Sequence, residues 1–416
     1  MYRAIGAIAL CGLLSACTKV DRPAPPTTAS AADLAFQKKL QEQLLDAQPG
    51  SVIELPAGKY SFTSGLQLRA DGVTIRGAGM DKTVLSFKPQ VAGPEGLLVY
   101  GNNFTIEGLT IEDSRGDGLK INDGEHITIR QVKVQWTGGS KVTNGAYGIY
   151  PVKTKNVLIE DCVAIAASDA GIYVGQSRDV VVRRSRAEGN VAGIEIENTI
   201  HADVYDNVAT NNTGGILVFN MPNLSQPGHS TRVFHNQVAS NNLGNFAAKG
   251  TAVASVPAGS GVVINSNSKV EIFDNDIRDN ATANVIISSY HSTGYYTEVG
   301  VAKDYDPYPK AIYVYGNRFQ GGGDAPDGFD LKTLKVALYG LSGHLPDVLW
   351  DGYMDRSLLR NGALPPESRI CVQDGAEVLN ADGPNKYKNP KADSAPHRCQ
   401  LAKLPPVTLP QLSNQS

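Results

Sequence analysis

The chain repeats one four-residue motif at intervals of 22 or 23 residues: Gly148-Ile149-Tyr150-Pro151, Gly171-Ile172-Tyr173-Val174, Gly193-Ile194-Glu195-Ile196 and Gly215-Ile216-Leu217-Val218. A period of this length is typical of a solenoid, in which each repeat packs only on its neighbours. Apolar and variable residues alternate within the motif, as expected of a strand with one buried face. The alternation predicts that the isoleucines stack inside the solenoid. It also predicts an outward file, one residue per coil, of Tyr150, Tyr173, Glu195 and Leu217.

A second strand recurs in the same register, for example at Val157–Cys162 and Val180–Ser185. Later copies end in asparagine, at Asn207, Asn236, Asn275 and Asn317. Stacked side-chain amides can satisfy one another from coil to coil, so this column predicts an internal asparagine ladder. The alternative is a set of turn-forming asparagines without a ladder. Cys162 lies in the same column and is predicted to be a buried thiol.

Length and charge limit the classes of function. The 416 residues suffice for one large solenoid, expected as a monomer, followed by a tail. The net charge of −3 gives no electrostatic basis for binding nucleic acid.

The amino terminus has the pattern of an export signal: Arg3, an apolar run from Ala4 to Leu14, and small residues before Cys17. A Pro- and Thr-rich tether is predicted over residues 18–30. Ala31–Asp46 is predicted to be an amphipathic helix that caps the open end of the solenoid. The capped solenoid is assigned to residues 31–319 and a C-terminal cap to residues 320–416, with a separate small domain as the alternative.

Together these patterns resemble the right-handed, single-stranded parallel β-helix of the pectin-lyase-like superfamily, over about Gly50 to Phe319. The chain resembles bacterial parallel β-helix repeat lipoproteins. More distantly it is similar to mannuronan C5-epimerases, polysaccharide lyases and a periplasmic copper-related β-helix protein. The resemblance implies an all-β fold with a capping helix at one end and an irregular cap at the other. It does not select one activity, because this fold supports many.

Leu14-Ser15-Ala16-Cys17 resembles a bacterial lipobox, which implies cleavage after residue 16 and a lipid on Cys17. Thr18 in the next position resembles outer-membrane sorting, with the side of that membrane left open. The alternative is an ordinary secretory peptide with a chance cysteine. In such an oxidising location Cys371 and Cys399 are expected to form a disulfide. The seven histidines are scattered, so no metal site is predicted and no cofactor is indicated.

The outward face of the first strand is the candidate site. Coils of a β-helix lie about 4.8 Å apart, so outward residues of successive coils share one patch. These residues are Lys120, Asn122, Asp123, Tyr150, Lys153, Tyr173, Gln176, Glu195, Glu197, Asn198, Phe219 and Asn220. The alternative is a solvated face without a specific role.

Three insertions interrupt the later coils, at residues 221–229, 243–260 and 291–310. The first and third fall between the first and second strands of their coils, so both should overhang the same rim. The third is rich in aromatic residues: Tyr290, His291, Tyr295, Tyr296, Tyr305 and Tyr308. Aromatic rings can stack on sugars, although these tyrosines could also only pack the loop onto the solenoid.

Uronate lyase or C5-epimerase chemistry would need a cation beside the substrate carboxylate and a base on one sugar face. Lys120 or Lys153 could supply the cation, and Tyr150, Tyr173 or His291 the base and acid. However, Tyr150, Val152 and Lys153 stand where the epimerases carry Asp, His and Asp.

Two alternatives remain open. Glu195 and Glu197 share one strand face about 6.7 Å apart, close to the spacing of an inverting glycosidase pair. The protein could also bind a glycan, or act as a scaffold, without catalysis.

Overall fold

The computed structural model describes residues 28–297, 299–373 and 375–413. The predicted signal peptide, Cys17 and the tether as far as Thr27 lie outside these residues. Within the described residues no helix is both long and apolar enough to cross a membrane.

The described chain winds into a parallel β-helix with three faces, and each regular coil contributes one strand to each face. Face 1 contains Ser64–Arg69, Ala92–Tyr100, Ala170–Gly175, Ala192–Glu197, Gly214–Phe219, Ser260–Asn265, Ala283–Ser288, Val348–Trp350 and Val378–Asn380. Face 2 contains Val52–Leu55, Thr74–Gly77, Arg178–Arg183, Ile200–Tyr205, His229–Phe234, Ser268–Phe273, Lys310–Tyr315 and Ile370–Val372. Face 3 contains Gly58–Ser61, Thr83–Ser86, Val163–Ile165, Arg186–Glu188, Val208–Thr210, Gln237–Ala239, Asp276–Arg278 and Arg318–Gln320.

Three longer strands turn the corners between faces: Thr105–Glu112, Leu119–Gln135 and Tyr147–Glu160. The short strand Lys391–Ala392 pairs antiparallel with Val378–Asn380. The helices are α1 (Ala31–Leu45), α2 (Phe329–Tyr339) and α3 (Pro410–Ser413). Single 3₁₀ turns lie at Ala252–Ser255, Tyr290–Ser292, Arg356–Leu358, Pro366–Ser368, Gly383–Asn385 and Ala395–His397.

The alternation read from the sequence has the correct phase. Ile149, Ile172, Ile194 and Ile216 are fully buried and belong to one continuous core that runs through the solenoid. Aliphatic residues dominate this core because each inward position must fit against the same position one coil away. The opposite phase therefore places Tyr173, Glu195 and Leu217 outside the core, on the outer surface of face 1.

The predicted asparagine ladder is confirmed. The Nδ2 atoms of Asn207, Asn236 and Asn275 each donate to the Oδ1 atom of the next asparagine, at 3.0, 2.9 and 2.8 Å, and Asn317 ends the series. Upstream the column continues through Ser185 to Cys162, whose thiol is buried as predicted. Burial raises the pKa of this thiol to about 12.

A second ladder, not recognised in the sequence, runs through Asn190, Asn212, Asn241 and Asn280 with amide-to-amide distances of 3.0–3.1 Å. It explains why the repeated motif begins with glycine. A Cβ atom on Gly171 would lie 2.6 Å from the Asn190 side-chain nitrogen, which is too close for two non-bonded atoms.

Helix α1 caps the first coil. Ser30 is its N-cap and forms a capping box with Asp33. Each of the two side chains accepts a hydrogen bond from the backbone N–H of the other residue. Leu40 and Leu44 are buried against the core. The Gln41 side chain accepts from the Gln67 backbone N–H at 3.0 Å and donates to the Gln67 carbonyl at 3.1 Å. The Gln41 side chain thus forms the hydrogen bonds that a neighbouring strand would otherwise form at this open edge of the sheet.

The solenoid continues beyond Phe319, where the sequence indicated no further repeat. Val348–Trp350, Ile370–Val372 and Val378–Asn380 add parallel strands to faces 1 and 2. They escaped detection because each is three residues long and the spacing between them is irregular. Cys371 and Cys399 are joined by a disulfide in this region.

The proline-rich end runs back along face 2. There the Val407 backbone N–H donates to Asp203 at 3.0 Å, and Val407 and Leu409 pack on Leu158 and Val181. The two hydrogen-bonded residues are 204 positions apart in the sequence, so this contact fixes the tail to the solenoid.

Candidate functional site

The outward file of face 1 begins as the sequence predicted. Lys120 and Tyr150 are Cα partners in adjacent coils, and the rings of Tyr150 and Tyr173 lie 4.9 Å apart. Tyr173 is in turn the partner of Glu195, and Glu195 of Leu217. In successive coils this outward position is therefore occupied by a cation, two phenols, a carboxyl group and an aliphatic side chain.

The expectation that this file faces open solvent is wrong for its central members. Only 4% of Tyr173 and 1% of Glu195 is exposed. Both lie under a second apolar layer on the outside of face 1, which includes Tyr147, Phe219 and Val253. Single-sequence alternation distinguishes inside from outside the solenoid, but it does not show that the second insertion folds back over the outer surface.

Three carboxyl groups in this layer, those of Asp169, Glu195 and Glu197, lie close enough for their charges to affect one another. Burial, with the charges of Glu197 and Asp117, raises the pKa of Asp169 to about 8. Burial beside Asp169 and Glu197 holds the pKa of Glu195 well above its usual range, and its Oε2 atom has no hydrogen-bond partner. Asp169 and Glu195 are therefore held as neutral acids at neutral pH.

Glu197 differs from its neighbours. Burial raises its pKa, but a hydrogen bond of 2.5 Å from the Tyr173 hydroxyl to its Oε1 atom opposes that effect. A hydrogen bond donated to a carboxylate favours the ionised form. Glu197 is also half-buried, whereas Glu195 is almost fully covered. The cluster thus combines protonated carboxyls with one that is accessible and better able to ionise.

Tyrosine rings form the wall of the cluster. The rings of Tyr147 and Tyr150 lie 4.6 Å apart, and the rings of Tyr147 and Tyr173 lie 4.4 Å apart. Tyr147 and Tyr150 remain half-buried, so they edge the opening. Burial raises the pKa of Tyr150 to about 12, with a further contribution from the charge of Asp117. These phenols are therefore proton donors and apolar surfaces at neutral pH rather than bases.

Lys120 is the cation of the predicted file. Its Nζ atom lies 4.8 Å from the centre of the Tyr150 ring, and 3.6 Å and 3.9 Å from carboxylate oxygens of Asp117 and Glu95. Two carboxylates thus already face this ammonium group. The surroundings of Lys120 are acidic overall, which disfavours a polyanion at this end of the site.

Four predicted site residues, three of them binding residues and one, Lys153, a catalytic residue, lie at a corner of the coil instead of on face 1. Asp123, Lys153, Gln176 and Asn198 all adopt the left-handed backbone conformation, with φ between 44° and 60°, where the chain turns from face 1 to face 2. Lys153 is exposed there. The strand-phase argument failed for them because the turn interrupts the two-residue period.

Two asparagines of the predicted set have structural roles. Asn198 is buried and its Nδ2 atom donates to the carbonyls of Met221 and Gln226, at 2.9 and 2.8 Å. Asn220 accepts from the Gly228 N–H at 2.8 Å. Both therefore hold the first insertion in place. Asn122 lies outside the cluster and its amide donates to Asp123 at 2.7 Å.

The first and third insertions meet on one rim, as predicted. Asn223 donates to the Gly300 carbonyl at 2.8 Å and accepts from the Ala302 N–H at 2.9 Å. From the third insertion Tyr295 approaches the carboxyl cluster, and its hydroxyl lies 3.1 Å from the Met221 sulfur. Burial raises the pKa of Tyr295, and the charge of Glu197 adds to the effect.

His291 and Tyr296 occupy a different place. The His291 ring contacts Tyr296, Tyr308 and Tyr353, with ring centres 5.2 Å apart in each pair. Tyr353 belongs to the tail, so this group packs the third insertion against the end of the solenoid. The geometry brings Tyr150, Tyr173, Glu195, Glu197 and Tyr295 together, and it places His291 in a separate aromatic cluster.

Asp117, Tyr147 and Asp169 belong to the site but were not selected from the sequence. Each precedes a strand of face 1 or stands at its first residue, one or two positions before the glycine of the repeat. Alignment of the coils on that glycine would have placed Asp169 and Tyr147 at one rim. Within the described residues, no three His, Cys, Asp or Glu side chains converge closely enough to hold a metal ion.

Comparison with known proteins identifies the fold. The family model described as "right handed beta helix region" matches residues 95–256. No curated protein sequence matches the chain.

Similar solved structures share low sequence identity with the chain. One is the A-module of the mannuronan C-5 epimerase AlgE4 from Azotobacter vinelandii, with 19% identity, 78% of this chain and 89% of that chain covered, and a TM-score of 0.46. The catalytic unit of a GH87 α-1,3-glucanase from Streptomyces thermodiastaticus has 17% identity, coverage of 79% and 49%, and a TM-score of 0.47. An alginate lyase from Paenibacillus sp. has 15% identity, coverage of 69% and 96%, and a TM-score of 0.33.

The activities in these names belong to those proteins. The matched family model and the strand register agree on the architecture, and the chain has the fold of a right-handed parallel β-helix.

Proposed function

We propose that the protein is a polysaccharide-acting enzyme that hydrolyses a glycosidic bond by acid–base catalysis at the carboxyl cluster of face 1. The observation that carries the proposal is the hydrogen bond from Tyr173 to Glu197 in a cluster with two protonated carboxyls. Glycoside hydrolysis requires one protonated and one ionised carboxyl group, and the hydrogen bond from Tyr173 favours the ionised form of Glu197.

The roles follow from the environments. Asp169, whose pKa is raised to about 8 by burial, would donate a proton to the glycosidic oxygen as the bond to the anomeric carbon breaks. Glu197 would act on the anomeric carbon, directly or through a water molecule that loses its proton to the carboxylate. The half-buried rings of Tyr147 and Tyr150 offer apolar surfaces on which a sugar ring can stack.

A neutral polysaccharide suits this site better than an acidic one. Asp117 and Glu197 are half-buried at the edge of the site, and Lys120 already lies between Asp117 and Glu95. A uronate chain would meet these carboxylates while Lys120 is already paired with two of its neighbours.

Lyase or C5-epimerase chemistry on a uronate is the second candidate. It is favoured by the 4.8 Å contact between the Lys120 ammonium and the Tyr150 ring, which places a cation beside a phenol. The raised pKa of Tyr150, about 12, weighs against a phenolate base and makes this candidate the weaker one.

The test is incubation of the protein with a panel of neutral glucans, mannans, galactans and xylans and of alginate, pectate and glycosaminoglycans. Hydrolysis is measured as new reducing ends, and lyase action as the absorbance of an unsaturated uronate. We expect reducing ends from a neutral polymer, and a loss of at least about a hundredfold in Glu197→Gln and Asp169→Asn. The exposed Glu125→Gln serves as the matched control, since its carboxylate is 51% exposed and pairs with Lys155.

Unsaturated products from an acidic polymer would select the lyase candidate. Binding to a glycan without any product would instead identify a binding protein, and would contradict catalysis by Glu197.

We further propose that the enzyme is tethered in the bacterial cell envelope through a lipid on Cys17, in the outer membrane. The motif at Leu14–Cys17 and the Pro- and Thr-rich segment after it support this proposal. Metabolic labelling with a fatty acid should mark the wild-type protein and not Cys17→Ala. Labelling of both proteins, or of neither, would contradict it.

A further inference from the structure

Face 1 carries a cavity of about 160 Å³ on the side of the carboxyl cluster nearer the C terminus. Its floor consists of outward side chains from successive coils, Phe219, Val263, Ile286 and Leu349. Phe219 is the Cα partner of Glu197. The cavity therefore begins one coil, about 4.8 Å, from the residue that we assign to catalysis.

Three separate segments also line the cavity. Val256 comes from the second insertion, Tyr295 from the third, and Leu331 from α2. The floor residues Phe219, Val263, Ile286 and Leu349 are between 3% and 8% exposed, and they belong to the outer apolar layer. The walls are thus built from four parts of the chain that are distant in sequence, and most of the surface that they present is apolar.

Two polar side chains in the wall, Asn265 and Asp351, are engaged in hydrogen bonds within the protein. Asn265 donates to the Ser288 hydroxyl at 2.9 Å and to the Ser289 carbonyl at 3.1 Å. Asp351 accepts from the Ser289 N–H at 2.6 Å and from the Ser292 hydroxyl at 2.8 Å. An apolar ligand would leave these bonds intact, whereas a polar ligand would have to compete with them.

We infer that this cavity binds a small apolar group, an aryl or short acyl substituent, carried by the glycan on which the neighbouring carboxyls act. Its volume is near that of an engineered apolar cavity of about 150 Å³ that binds benzene. The identity of the carrier rests on the proposed function, while the apolar selectivity of the cavity rests only on its walls.

Tyr295 lies between the cavity and the carboxyl cluster. Its ring lines the cavity, its hydroxyl lies 3.4 Å from Asn265 Oδ1 in the cavity wall, and it is close enough to Glu197 for that charge to act on it. A substituent in the cavity would therefore leave the attached sugar beside Glu197, so the cavity fixes the position of the sugar along the groove.

Benzene is the probe for the cavity, with binding to the purified protein measured by ligand-observed NMR. Val263→Phe should fill the cavity and weaken benzene binding at least about tenfold. Ile286→Ala should enlarge it and tighten the binding of para-xylene. Val52→Phe, at a position that is 51% exposed on face 2, is the matched control and should bind benzene like the wild type.

Absence of benzene binding to the wild type would overturn the inference. So would equal binding by Val263→Phe, or unchanged para-xylene affinity in Ile286→Ala. The last comparison keeps the inference testable if Val263→Phe does not fold.

The glycan carrier is tested on a cleaved polysaccharide in its ester-substituted form and after removal of the esters with mild alkali. We expect KM to be about tenfold lower for the substituted polymer, and Val263→Phe to remove the difference. Equal KM values for both forms would overturn the assignment of the substituent.

Failures of the two proposals are distinguishable. Glu197→Gln should abolish cleavage of both polymers and leave benzene binding unchanged. If no polysaccharide is cleaved, the benzene experiment still decides whether the cavity selects apolar groups.

Discussion

The Tyr173 hydroxyl donates a hydrogen bond to Glu197 Oε1 across one coil of the solenoid, with an oxygen-to-oxygen distance of 2.5 Å. The two residues are two positions out of register: Tyr173 is the Cα partner of Glu195, and Glu197 is the partner of Gly175. A side chain at position 175 would collide with the Tyr173 ring, since a Cβ atom there would lie 2.4 Å from a ring carbon. The glycine therefore allows the phenol to lean across to the carboxylate.

Removal of this hydrogen bond should change the pH dependence of activity. Tyr173→Phe eliminates the contribution that lowers the pKa of Glu197, so burial dominates and the pKa rises. The acidic limb of the activity profile, which reports ionisation of Glu197, should move to higher pH. A hydrogen bond to a charged group contributes about 1.5–3 kcal/mol, so kcat/KM should fall roughly ten- to a hundredfold.

A double-mutant cycle provides the control. In the Glu197→Gln background Tyr173→Phe should have little further effect on the residual rate, because the two residues act as one unit. An acidic limb that stays in place in Tyr173→Phe would show that the hydrogen bond does not set the ionisation of Glu197.

Asp169 should make the protein less stable as the pH rises. Burial raises its folded-state pKa to about 8 from an ordinary value of 3.8, so the folded protein holds a proton that the unfolded chain releases. The contribution of Asp169 to stability is complete below pH 3.8 and is lost progressively as the pH rises to 8. We expect the melting temperature to decline over this interval, with a smaller decline in Asp169→Asn. Thermal denaturation of both proteins across the pH range measures the difference, and parallel curves would contradict it.

The regular coils are predictable from the sequence because two local signals coincide. The alternation around Ile172 and Ile194 sets the inside of face 1, and the period of 22 or 23 residues sets which residues stack. The column of asparagines that includes Asn236 is also predictable from local sequence, since each asparagine follows a strand of the same length. Neither inference depends on contacts between distant segments.

The lining of the site depends on such contacts and could not be predicted. Glu195 becomes a buried acid because a layer that includes Val253, from an insertion almost sixty residues later, covers it. The pKa of Asp169 is raised by burial and then by the charges of Glu197 and Asp117, which belong to other coils. Lys153 was predicted to lie on face 1 from its position in the motif. The left-handed turn at this residue, with φ of 55°, removes it from that face.

An asparagine in the middle of the ladder should contribute more to the free energy of unfolding than the asparagine at its end. Asn236→Ala removes the acceptor for both the backbone N–H and the side-chain amide of Asn207, each at 3.0 Å, and leaves a buried N–H unpaired. One unsatisfied buried group costs about 1–3 kcal/mol. Asn317→Ala is the matched control at the half-buried end of the ladder, where water can replace the lost amide. Chemical denaturation should show the larger loss for Asn236→Ala, and equal losses would argue against the ladder as a source of stability.

The disulfide between Cys371 and Cys399 should stabilise the last coils of the solenoid. It joins residues 28 positions apart. Cys371 lies within Ile370–Val372, a strand that pairs with the rest of face 2 through only three residues. A cross-link that closes a loop of this size typically contributes about 2–4 kcal/mol. We therefore expect the double variant Cys371→Ser with Cys399→Ser to unfold at lower denaturant concentration than the wild type. A reductant should lower the midpoint of the wild type and leave that of the double variant unchanged, because Cys162 is a buried thiol whose pKa is raised to about 12. A midpoint of the wild type that does not respond to complete reduction would show that the strand pairing holds the tail without the cross-link.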